Sequence, residues 1–79
     1  MKLKLRSEKD LLRYVLALNI DEGIRIPIKE GMIIITRYDS RFYLKMEGKN
    51  ELEKIFNDDN ELLNFIRPYI SFPNEAELY

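Results

Sequence analysis

The chain has 79 residues, 46% of them hydrophobic, with no cysteine and no histidine and with 13 Lys/Arg against 14 Asp/Glu for a net charge of −1. That length sets a single domain with a small core, and the missing residue types remove disulfides, thiolate metal sites and the commonest general base. No apolar run approaches the roughly 18 residues of a membrane span, so a folded cytoplasmic protein with no membrane partner is expected.

The first ten residues, MKLKLRSEKD, carry charge from the second position and lack the apolar stretch of a secretory leader. Within them Lys2–Arg6 alternates with period two, which predicts a short strand or an ordered basic arm. Ser7 with Asp10 three residues on predicts a helix start, the hydroxyl accepting from a free backbone N–H. That helix is expected to run to about Asn19 behind the stripe Leu11, Leu12, Val15, Leu16 and Leu18, and to end at Asp21-Glu22-Gly23.

The middle of the chain alternates. IRIPIK puts Ile24, Ile26 and Ile28 on one face. RFYLKME puts Phe42, Leu44 and Met46 on one face, with Arg41, Tyr43, Lys45 and Glu47 on the other. Between them MIIITRY fits either orientation, and pairing has to decide. An even-numbered loop around Glu30-Gly31 sets Ile28 opposite Ile33 and Ile26 opposite Ile35. An even loop around Asp39-Ser40 sets Ile35 opposite Leu44 and Ile33 opposite Met46. Both hairpins then agree on one aliphatic face, and a slip of one residue reverses it. Pro27, which lacks a donor, favours a four-residue loop from Lys29 to Met32 and predicts that the first hairpin strand is an edge. Leu3 and Leu5, if they join the sheet, are expected beside the Phe42–Met46 strand.

KNELEKIFNDDNELLNFIRPYI follows, and it predicts helix. Asn50 with Glu53 resembles a cap, and Leu52, Ile55, Phe56, Leu62, Leu63 and Ile66 keep a helical stripe. A break is expected at NDDN, with Asp59 or Asn60 recapping a second helix that Pro68 ends. SFPNEAELY is expected to be an acidic, mobile tail. The expected fold is therefore α+β in one domain, residues 1–70, with a tail over 71–79. It is a three-stranded antiparallel meander, extended by a fourth N-terminal strand if Leu3–Leu5 join. An N-terminal helix and C-terminal helices pack on one face of it.

The other face gathers Arg25, Pro27 and Lys29, then Met32, Ile34, Thr36 and Tyr38, then Arg41, Tyr43, Lys45 and Glu47. Antiparallel sheets tolerate a solvated face with scattered apolar residues. Tyr, Met and Arg around an apolar centre are, however, the residue types of interface cores. The leading expectation is a small non-catalytic protein-binding module, a regulator or inhibitor of a larger cytoplasmic protein, virus- or plasmid-encoded. Met32, Ile34, Tyr38, Arg41, Tyr43 and Lys45 form its contact surface, and homodimerisation through this face is one form of it. A second route runs through Asp58, Asp59 and Glu61, an acidic helix turn suited to a basic groove on a partner. The alternative is a single-stranded RNA or DNA binder, in which Tyr38 and Tyr43 stack bases while Arg25, Arg41 and Lys45 meet phosphates. Charge does not favour that alternative. Residues 1–47 carry ten Lys/Arg against seven Asp/Glu, and residues 48–79 carry three against seven. Helix–three strands–helix is also the order of the double-stranded RNA-binding fold, whose last helix opens on a lysine cluster, whereas KNELEK sets acids beside the lysines.

No catalytic residue, metal or cofactor is expected. Asp58, Asp59 and Glu61 offer oxygens to a hard cation, yet capping of helix ends explains short acids equally well. Glu47-Gly48-Lys49 with Asp39 upstream resembles the Asp…Glu-x-Lys arrangement of metal-dependent nucleases, but a glycine that ends the strand keeps Glu and Lys from facing one ion. Ser7, Ser40 and Ser71 have no histidine to activate them.

Overall fold

A computed structural model describes residues 1–79. In chain order the elements are β1 (Lys2–Leu5), α1 (Glu8–Leu16), β2 (Gly23–Ile28), β3 (Gly31–Tyr38), β4 (Arg41–Gly48), β5 (Leu52–Phe56), α2 (Asp59–Ile66) and β6 (Asn74–Leu78). The strands form one antiparallel sheet in the order β1-β6-β2-β3-β4-β5. The fold is α+β, with six strands in place of the predicted three or four.

The central hairpins obey the predicted parity. β3 meets β4 in the expected register, Ile35 opposite Leu44 and Ile33 opposite Met46. Asp39 opens the two-residue turn at φ 60°, a backbone region that Asp tolerates better than most residues. β2 meets β3 one pair away from expectation: Ile26 faces Ile33 and Ile24 faces Ile35, so the loop is the dipeptide Lys29-Glu30. Glycines explain the tighter turn. Gly31 lies opposite Gly48, and a Cβ on Gly48, at φ 118°, would come within 2.2 Å of the Glu30 carbonyl oxygen. Only glycine lets the tips of the two turns approach this closely.

Pro27 still makes no demand on β3. Its carbonyl faces β6 and accepts from Asn74 Nδ2 at 2.8 Å, so its donorless nitrogen also points that way. β2 is nevertheless an inner strand. β6 pairs with it at Ile24 and Arg25 and, beyond them, through two bonds between Gly23 and Tyr79 (3.0 and 2.9 Å). The ladder ends where Pro27 would have had to donate, and the Asn74 side chain takes over there.

Two expectations about the sheet margins are corrected. β1 does not lie beside β4. It pairs with β6 at the far side, Lys2 opposite Glu77, Leu3 opposite Ala76 and Lys4 opposite Glu75. Residues 71–79 are accordingly not a free tail, since Asn74–Leu78 is threaded between β1 and β2. The physical reason is charge complementarity: alternating Lys on one strand answers alternating Glu on the other, which offsets the low strand propensity of glutamate.

A further correction concerns Leu52–Phe56, which is strand rather than helix. Its pairs run from Phe42–Phe56 to Met46–Leu52. LEKIF satisfies both periodicities, because Leu52 and Phe56 are four apart and also on the same side of a strand. As a strand the segment pairs along the otherwise open edge of β4, which a helix there would leave unsatisfied.

The helices are shorter than predicted. α1 ends at Leu16, and Ser7 occupies the N-cap position without a side-chain cap bond; Asp10 instead accepts from the Arg6 N–H at 3.0 Å. α2 is capped by Asp58, whose Oδ1 accepts from the Asn60 N–H at 2.8 Å, one residue before the expected position. Both helices bury their apolar stripes on one side of the sheet. Leu11 and Val15 from α1 and Leu62 and Ile66 from α2 join Ile24, Ile26, Ile33, Ile35, Phe42, Leu44 and Met46 in a single core of 17 residues. No helix is long and apolar enough to cross a membrane.

Candidate functional site: the uncovered sheet face

Because the core takes Ile33 and Ile35, strand alternation turns Met32, Ile34, Thr36 and Tyr38 to the opposite side. No helix covers that side. Met32, Ile34, Thr36 and Tyr43 are half-buried by their neighbours alone, and Tyr38 is 58% exposed beside Arg41. The structure thus brings together the six sheet residues expected to bind protein, and Arg25 lies on the same face opposite Ile34. Lys29 leaves it for the turn.

One row crosses all six strands. Reading from edge to edge it is Lys2, Glu77, Arg25, Ile34, Lys45 and Glu53, each opposite the next. Arg25 lies 3.7 Å from the Glu77 carboxylate, and Lys45 lies 3.5 Å from Glu47 along its own strand. The parallel row on one side is Gly23, Thr36, Tyr43 and Ile55, and Ile55 is 52% exposed. Tyr79 closes that row: its ring lies against Gly23, its hydroxyl is 3.4 Å from Thr36 Oγ1, and the Arg25 guanidinium stacks over it at 4.6 Å. The row on the other side runs Pro27, Met32 and Glu47, with Glu75 and Lys4 across the divergence of β6 from β2.

The surface is therefore an aliphatic and aromatic centre with charges of both signs around it. A depression of about 210 Å³ lies where β2 and β6 separate and is lined by Lys2, Arg25, Pro27, Met32, Glu75, Ala76 and Glu77. That is below the roughly 300 Å³ at which small-molecule sites begin. A broad surface without a deep cleft suits a macromolecule.

Asp58, Asp59 and Glu61 stand elsewhere. They open α2, which packs on the core side, so the sheet separates them from the outer face. The Asp58 carboxylate is engaged in capping. Asp39 sits in the β3–β4 turn and Glu47 near the far end of β4, so the nuclease-like spacing is not assembled.

Lys2, Glu53, Ile55, Glu77 and Tyr79 belong to this face although sequence reasoning left them out. Their assignment required β5 and β6 to be strands. The available signal was the alternation KLKL against NEAEL, two short segments at opposite ends of the chain with matched apolar positions and opposite charges. Compared with protein-family models, curated proteins and solved structures, the chain shows no match.

Proposed function

We propose that this chain is a small non-catalytic protein-binding module acting in the cytoplasm, a regulator or inhibitor of a larger protein, with the uncovered sheet face as its contact surface. The observation that carries this reading is the position of Ile34. It is the one apolar residue in a row of charges that spans the sheet, with Met32 two residues along its own strand and Tyr43 diagonal to it on β4, and no element of the fold lies above them. Interface cores have this composition, an aromatic and aliphatic centre inside a polar rim that fixes orientation.

The same geometry favours protein over nucleic acid as the partner. Arg25 and Lys45 already have carboxylates within 4 Å, and Glu47, Glu53, Glu75 and Glu77 share the face with the cations. A phosphate backbone approaching it meets repulsion alongside attraction.

Capture from a lysate of the native host, comparing the wild type with Ile34→Glu, tests the reading. A specific protein should be retained by the wild type and lost by the variant, while both melt at the same temperature. Identical capture by both chains would remove the outer face from the mechanism. Tight, steeply salt-dependent binding of a labelled single-stranded oligonucleotide would replace it with the nucleic-acid alternative.

A further inference from the structure

We propose that the outer face binds a second copy of this chain, the two sheets stacking face to face about a two-fold axis that runs parallel to the strands between β2 and β3. This rests on reading the outer face as a protein-contact surface, and it names the partner.

A two-fold along the strands lays one sheet over the other with the strand order reversed. With the axis between β2 and β3, β1 meets the second copy's β5, β6 meets its β4, and β2 meets its β3. In the row that crosses the sheet, Lys2 then faces Glu53 and Glu77 faces Lys45, while Arg25 covers Ile34. The symmetry makes each of these contacts twice, giving four ion pairs of opposite sign. In the flanking rows Pro27 faces Met32 beside the axis and Tyr79 faces Tyr43 farther out. Glu75 opposite Glu47, also made twice, is the one like-charged pairing.

Other axes fail. Centred on β3, the stack opposes Arg25 to Lys45 and Glu77 to Glu53. Centred on β2, it opposes Lys2 to Lys45 and Arg25 to itself. Centred between β3 and β4, it leaves β1 and β6 uncovered. Of the axes parallel to the strands, the one between β2 and β3 is the only one that both covers all six strands and opposes unlike charges along this row. A face shaped for an unrelated partner has no reason to carry that property.

Area points the same way. Six strands about 4.8 Å apart and four to eight residues long present a footprint on the order of 500 Å². A stable interface removes about 800 Å² of accessible surface from each partner, so the whole face must be covered. A second sheet of equal breadth does this, and sheets packed in the aligned mode keep their strands within about 30°.

The decisive pair is Lys2 and Glu53, because β1 and β5 are the opposite edges of the sheet and these residues never meet within one chain. Sedimentation equilibrium at up to millimolar concentration should find the wild type dimeric. Lys2→Glu alone and Glu53→Lys alone should each weaken self-association roughly tenfold or more, since two attractive contacts become repulsive. An equimolar mixture of the two variants should restore wild-type affinity as a heterodimer, in which every reversed charge meets its complement. Glu47→Gln should tighten the dimer by relieving its one like-charged contact. A wild type that stays monomeric overturns the inference. So does a dimer indifferent to both reversals, or a mixture that associates no better than its components. If the wild type is monomeric yet Ile34→Glu still loses a captured host protein, the protein-binding reading stands and the second copy is the wrong partner.

Discussion

Met32, Ile33, Ile34 and Ile35 are four successive apolar residues of one strand, and they have two different fates. Ile33 and Ile35 are wholly buried beneath the helices, whereas Met32 and Ile34 keep part of their surface on a side that nothing covers. Composition does not separate them; parity does. On the core side each isoleucine has apolar neighbours from three strands and from the helical layer. On the outer side the neighbours of Ile34 are Arg25 and Lys45. One face is saturated within the chain, and the other is left open.

The contrast is broken most severely from the core side. Ile35→Ala removes a fully buried side chain between Ile24 and Leu44, and it is expected to cost about 2–5 kcal/mol in urea-induced unfolding, because tightly packed neighbours cannot close the cavity. A smaller but still large effect is expected from Gly48→Ala. Its Cβ would collide with the Glu30 carbonyl oxygen at a backbone angle that side chains avoid, and the loss should be about 1–3 kcal/mol. The midpoint of chemical unfolding reads both. A Gly48→Ala protein as stable as wild type would show that the two turn tips do not set the β2–β3 register.

Asp58→Ala acts on the helical layer that makes the core face a core. The side chain satisfies a free N–H at the start of α2, and its removal should cost about 1 kcal/mol. Hydrogen exchange localised to the first turn of α2 would identify the cap as the cause. Uniform loosening of the outer strands would not fit that assignment.

What was legible in the sequence follows the same division. The β3–β4 register could be read because RFYLKME alternates cleanly and only one parity buries its aliphatics. The β2–β3 parity followed from the same argument. The exact pairing there did not, since moving a register by two residues leaves every face unchanged, and the close Gly31–Gly48 approach with the Asp21, Glu22 and Arg37 backbone bonds at the far end goes with the tighter one. β5 was hidden by a five-residue segment whose apolar spacing fits helix and strand alike. β6 was hidden because Glu75 and Glu77 look like tail residues until Lys4 and Lys2, more than seventy positions away in sequence, stand opposite them. Two of the six strands of the outer face are those two. Its centre at Ile34 was therefore visible, and the alternating row that gives the face its polarity was not.

The smallest effect on stability is expected where the effect on association is largest. Ile34 is half-exposed, and its cross-strand neighbours are the long stems of Arg25 and Lys45, so Ile34→Glu leaves no cavity and strands no buried polar group. A carboxylate between two cations gains charge contacts that offset part of the lost strand propensity, and the net change in unfolding free energy should stay below about 1 kcal/mol. Against a partner the same carboxylate replaces the apolar contact at the centre of the face, and stripping it of water costs more than Arg25 and Lys45, already engaged with Glu77 and Glu47, return. Thermal denaturation and sedimentation of one variant therefore measure the two faces separately. An intact fold with lost association places the use of this face outside the chain. An Ile34→Glu protein that unfolds as readily as Ile35→Ala would mean that both sides of β3 serve folding alone.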